Sequence, residues 1–188
     1  MEKFRFIKLF IAIVFLSFFK IGNAQEISFE SCVSTLEKVN IEIDQPTEGK
    51  GRFLNPFEND IVPHEFRVKF KDEDLEIWIS VTAYDSLSPA TQMPHLQAGR
   101  IAINTATNES DEETVTTVLK LGDDYAKETF GADWGREFYF KPKKQLSDKE
   151  NCRLLSLYKE EIGQIQVLFF FNKKTKGLEF YYDMFRFR

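Results

Sequence analysis

The sequence predicts an α+β domain. An antiparallel β-sheet, made of an N-terminal hairpin and a C-terminal meander, packs against one long α-helix. Three observations carry this expectation. Two alternating apolar runs meet across a short acidic turn. One long segment has helical spacing with both of its ends marked. From residue 136 onward the chain is a succession of apolar, aromatic-rich runs separated by hairpin-length links.

Taken in order, residues 29–39 show some helical spacing, with Phe29, Val33 and Leu36 on one face. Residues 44–60 hold Pro46, Gly49, Gly51, Asn55 and Pro56 and read as loop. Phe66, Val68 and Phe70 alternate with Arg67, Lys69 and Lys71, the two-residue period of a half-buried strand. After Asp72-Glu73-Asp74 the alternation resumes over Leu75, Ile77, Ile79, Val81 and Ala83, which makes a hairpin. Residues 85–95 read as loop, and 100–107 suit helix or strand equally.

The long helix is expected over 111–130. Ser110 and Glu113 form a capping-box pattern, acidic residues 111–113 suit the helix dipole, and Gly131 is a stop signal. Strands are expected over 136–141, 151–158, 164–172 and 178–187. Ile165, Val167, Phe169 and Phe171 line one face of the third, while Leu168 and Phe170 make the other apolar too. A strand apolar on both sides belongs in the middle of a sheet that is covered on each face.

Residues 1–24 read as a secretory signal peptide preceding one exported domain, 25–188. Lys3, Arg5 and Lys8 precede an apolar run from Leu9 to Phe19, and Gly22 and Ala24 provide small residues for cleavage. That run is shorter than the roughly 20 residues a spanning helix needs, so no membrane span is expected after cleavage. The segment carries four basic residues and one acidic residue. The remainder therefore holds 21 basic against 29 acidic residues, a net charge of -8 against -5 for the whole chain. That sign argues against nucleic acid as a partner. The composition, with 43% apolar and 29% charged residues, excludes a disordered or collagen-like chain. An eight-stranded membrane barrel is disfavoured by the helix signal.

Cys32 and Cys152 are the only cysteines. An even count in an exported chain suggests a disulfide, which would close a loop of about 120 residues and contribute roughly 4–5 kcal/mol in the chain-entropy picture. Catalytic motifs are scarce. His64 and His95 are the only histidines, each following a proline, and neither sits in a metal-ligand spacing. No nucleophile elbow or phosphate loop is present. The expectation is therefore no catalytic residue, no metal and no cofactor.

Two surfaces are candidates for a partner. The Gly131–Arg136 loop offers Asp133, Trp134 and Arg136, residue types common in binding hot spots. A meander would also bring Lys143 and Lys144 to the same sheet end as Lys173, Lys174 and Lys176, a basic rim suited to an exported protein or an anionic envelope component. The leading expectation is an exported, soluble binding module without catalysis, of the inhibitor or immunity type or an envelope-associated ligand binder. The alternatives are an exported hydrolase, metal-assisted through His64 or His95, and a carrier of small hydrophobic ligands.

Overall fold

A computed structural model describes residues 25–44, 51–70, 74–107, 116–172 and 178–188. The signal-peptide segment, the capping-box residues and Lys173, Lys174 and Lys176 lie outside the described residues. The expected α+β class holds, with antiparallel sheets and short helices in place of one long helix.

The elements are α1 (Phe29–Glu37), β1 (Ile41–Ile43), β2 (Gly51–Leu54), β3 (Phe66–Phe70), β4 (Leu75–Ala83), α2 (Pro89–Gln92), α3 (Pro94–Thr105), β5 (Thr117–Lys120), α4 (Asp123–Phe130), β6 (Trp134–Phe140), β7 (Asn151–Lys159), β8 (Gly163–Phe171), α5 (Leu178–Tyr182) and β9 (Phe185–Phe187). Among the described residues, seven strands form one sheet in the order β2-β3-β4-β8-β7-β6-β5, every pair antiparallel. β1 and β9 form a second, two-stranded sheet.

The expected hairpin is β3–β4, in which Val68 opposes Ile77. The expected consecutive strands β6, β7 and β8 form a meander. β8 is the central strand, and all nine of its residues are buried. Alternation divides its side chains between two cores. Ile165, Val167, Phe169 and Phe171 join α1, β1, β9, α4 and α5 on the first face. Leu168 and Phe170 join Trp78, Phe138, Leu154 and the inner side of α3 on the second.

Several expectations are corrected. The long helix over 111–130 is replaced, within the described residues, by β5 and the shorter α4. Thr117 and Val118 are β-branched and favour a strand. Gly122 then separates the strand from a helix that ends, as expected, at Gly131 with a left-handed φ of 63°. The presumed loop 85–95 contains α2 and the first turn of α3, each opened by a proline at its first helical position. The ambiguous segment 100–107 is helical as far as Thr105, because Ala98, Ile101, Ala102 and Thr105 follow helical spacing on the buried side. The presumed loop 44–60 contains β2.

The last expected strand, 178–187, is instead α5 followed by β9. Leu178, Tyr181 and Tyr182 repeat at i, i+3 and i+4, so a helical turn buries all three. Tyr181 lies 4.7 Å from Phe70 and Tyr182 lies 5.0 Å from Phe169, ring centre to ring centre. The expected disulfide is also absent: Cys32 and Cys152 are both free and buried. Cys32 belongs to the first core and Cys152 to the second, so the main sheet stands between them. Burial pushes the Cys32 thiol up to about 12 and the Cys152 thiol well above its ordinary value, so both stay protonated.

Candidate functional site

His64 is a structural residue. It is 7% exposed and stacks on Trp78, with ring centres 4.4 Å apart. Its Nε2 accepts the Phe57 N–H at 3.0 Å, and a backbone N–H can only donate. The ring proton therefore sits on Nδ1 and is donated to the Val62 carbonyl at 3.0 Å. Both nitrogens are committed, so neither is available for a metal. His95 is exposed in the first turn of α3. Among the described residues, no group of three or more potential metal ligands comes together.

Burial lowers the His64 pKa from its ordinary 6.5, while the hydrogen bond to Val62 opposes that shift. A base with a depressed folded-state pKa binds its proton more weakly when folded. Stability is therefore lost as pH falls below 6.5 toward the folded value. Acidification from pH ~7.5 to ~5 is expected to lower the urea midpoint of the wild type more than that of His64→Leu. Equal slopes in the two proteins would contradict this assignment. Glu65, whose pKa burial raises, is present in both and cancels in the comparison.

The loop residues singled out by sequence are partly tied into the fold. The Asp133 carboxylate accepts the Glu160 N–H at 3.0 Å. Trp134 is half-buried and packs against the second core, with the Arg136 guanidinium 5.9 Å from its ring centre. Register places the 141–150 link at the same sheet end as the end of β8, because Asn151 opposes Phe171. Lys143 is half-buried and Lys144 exposed at that end. Lys149, in the same link, is held by Asp74 and lies 3.8 Å from Asp148, which offsets part of the local positive charge.

The structure brings together a different set of residues beside β5. Thr117, Leu119, Glu137, Tyr139, Arg153 and Phe171 line a cleft of about 230 Å³ on the first face of the sheet. Cross-strand register builds it: Thr117 opposes Tyr139, Leu119 opposes Glu137, and Tyr139 opposes Arg153. At its polar side, the Arg153 guanidinium lies 3.2 Å from the Glu137 carboxylate and 3.4 Å from the Tyr182 hydroxyl. It also sits 5.8 Å from the Tyr139 ring centre. Tyr182 donates its hydroxyl hydrogen to Glu137. Burial, and then that hydrogen bond, raise the Tyr182 pKa, so the phenol remains a donor.

Arg153 and Glu137 offset one another, so the cleft presents no net charge. Its apolar surface comes from Leu119, Tyr139 and Phe171. Leu119 is 53% exposed and Val118 beside it 51%. Sequence reasoning missed Glu137, Arg153 and Tyr182, and no local motif links them. β5 itself was hidden within the expected helix.

Fold and cleft together define an antiparallel α+β sheet protein, helix-covered on both faces, in which β5 is, among the described residues, the edge strand beside a charge-balanced cleft. The chain matches no family model, no curated protein and no solved structure. No helix among the described residues is long and apolar enough to cross a membrane.

Proposed function

We propose that the protein is an exported, non-catalytic binding module of the inhibitor or immunity type, which recognises an extended segment of another exported protein through β5. One observation carries this. β5 pairs with β6 along one side and, among the described residues, with no strand along the other, while Leu119 stands exposed in the cleft on one face and Val118 stands exposed on the opposite face. A free strand edge offers backbone donors and acceptors to a further strand. The adjacent cleft is of a size for one apolar side chain from such a segment. Export rests on the N-terminal targeting pattern.

The test is affinity capture from the native exported fraction, comparing wild type with Leu119→Asp and Tyr139→Ala. A partner retained by wild type is expected to weaken by about 2 kcal/mol or more in each variant, the scale of an interface hot spot. Lys143→Glu with Lys144→Glu is expected to leave that capture unchanged. Loss through the lysine pair alone would move the interface to the basic rim.

A further inference from the structure

Helix α3 is apolar on both of its sides. Ala98, Ile101 and Ala102 join the second core. Leu96 and Ile103, seven residues apart, face the other way and are 58% and 69% exposed. A surface helix ordinarily turns a polar side to water. The segment leading into α3 is exposed too: Met93 is 43% exposed, and Leu87, just before α2, is 91% exposed. Together these four residues leave roughly 500 Å² in water, at the upper end for a monomer and a large part of the ~800 Å² that each partner buries in a stable pair.

The same surface carries a groove. Met93, Leu96, Gln97 and Arg100 line it together with Pro89 and Ala90, and it encloses about 340 Å³. The first four stand at i, i+3, i+4 and i+7, the spacing of the hole that receives a side chain when two helices pack. Its walls are tied in place. Gln97 Nε2 donates to the Ala90 carbonyl at 2.9 Å, which joins α2 to α3. The buried Thr91 hydroxyl lies 2.8 and 2.9 Å from the Asp85 and Ser88 carbonyls, which fixes α2 on the turn before it.

Charge narrows the choice of partner. Asp85 and Glu109 bracket a stretch, 86–107, without an acidic residue, in a chain whose residues 25–188 carry a net charge of -8. Two such copies repel one another through their net charge. The 86–107 stretch brings no carboxylate to a contact between them. Arg100 is its single Lys or Arg, whereas a docking surface for anionic lipid carries a cluster of about 4–8. The face also holds both halves of a contact, a groove and projecting apolar side chains, so it is complementary to itself. In an antiparallel twofold pairing about Gly99 and Arg100, Leu96 of each copy lies level with Ile103 of the other. The two Arg100 side chains come near the axis, where their length lets each guanidinium reach water.

We propose that the protein forms a twofold homodimer through α2 and α3. Leu96 and Ile103 form the centre of the contact, and the groove receives an apolar side chain of the second copy. The contact lies on the second face of the sheet, away from the cleft on the first.

Sedimentation equilibrium of the purified protein tests this. A reversible monomer–dimer equilibrium is expected, with Leu96→Asp and Ile103→Asp each raising the dissociation constant about tenfold or more. Both residues are exposed, so each variant is expected to keep the thermal transition of wild type measured at a dilution where it is monomeric. Leu119→Asp is expected to leave the dimer intact, so failure here and failure of the strand-docking interface are distinguishable. A monomer at every concentration up to ~1 mM overturns the proposal. So does a dimer that survives both α3 variants, or one that Leu119→Asp dissociates. A monomer that floats with phosphatidylglycerol vesicles, and no longer does so as Leu96→Asp, also overturns it and assigns the face to lipid.

Discussion

Alanine at Gly163 is expected to destabilise the protein by more than about 3 kcal/mol, read from urea or thermal denaturation. Gly163 follows the β7–β8 turn with φ 136°, a conformation that L side chains rarely adopt. A Cβ there would lie 2.3 Å from the Thr82 carbonyl oxygen and 3.0 Å from Ala83 Cα and Tyr84 N. All three are backbone atoms at the end of β4, so no side chain can swing aside. Relief would separate β4 from β8, the pair that joins the two halves of the sheet. Gly99→Ala is the control. Its added Cβ meets nothing within 4 Å in α3, and a gain of roughly 0.5–1 kcal/mol is expected from helix propensity. A Gly163→Ala protein as stable as wild type would contradict the close approach of these strands.

Phe170→Ala is expected to cost about 3–5 kcal/mol, the range for removing a fully buried aromatic side chain. Phe170 is 0% exposed on the central strand, and its ring centre lies 4.8 Å from that of Trp78. Trp78 is held on its other contacts by the stacked His64 and by a 2.8 Å hydrogen bond from its Nε1 to Glu76. The cavity is therefore unlike one at a mobile edge, because the surrounding groups are fixed and collapse only partly. Denaturation midpoint reads the loss. Near-ultraviolet dichroism is expected to report a changed Trp78 environment. A cost below ~1 kcal/mol would mean that the second core repacks freely around the gap.

The parts of the fold legible in sequence are those in which one local pattern admits one structure. Phe66 to Phe70 and Leu75 to Ala83 alternate, with Trp78 the exception, and form the β3–β4 hairpin. The doubly apolar 164–172 run lies at the sheet centre, because only a strand covered on both faces can bury Phe169 and Phe170 together. Gly131 ends α4, because a left-handed position favours glycine. The errors fall where patterns overlap. Val118 and Leu119 are adjacent apolar residues and suit a helix or a strand. Pairing with Phe138 and Glu137 decides between them, some twenty residues away. Leu178 to Phe187 is rich enough in aromatic residues to satisfy either period, and packing of Tyr181 and Tyr182 on Phe70 and Phe169 selects a helical turn.

The candidate sites were still less legible. Glu137, Arg153 and Tyr182 are ordinary residues in three separate elements, and only cross-strand register and the placement of α5 unite them. Gln164 and Gln166 were visible as polar residues in an apolar strand. Their complete burial depends on what packs against that face, which the strand's own pattern does not specify. The two cysteines show the same limit: an even count cannot say that a sheet separates them.

Sequence by itself determined the α+β class, the hairpin, the central strand and the acidic balance of the chain after residue 24. Each of these depends on local periodicity, turn chemistry or summed charge. Tertiary structure alone decided that β5 is, among the described residues, an edge strand, that both cysteines remain thiols, that His64 is spent on backbone groups, and that Glu137, Arg153 and Tyr182 meet beside a charge-balanced cleft. Those outcomes depend on which residues meet across long sequence separations, and contact of that kind is set by packing rather than by any local pattern.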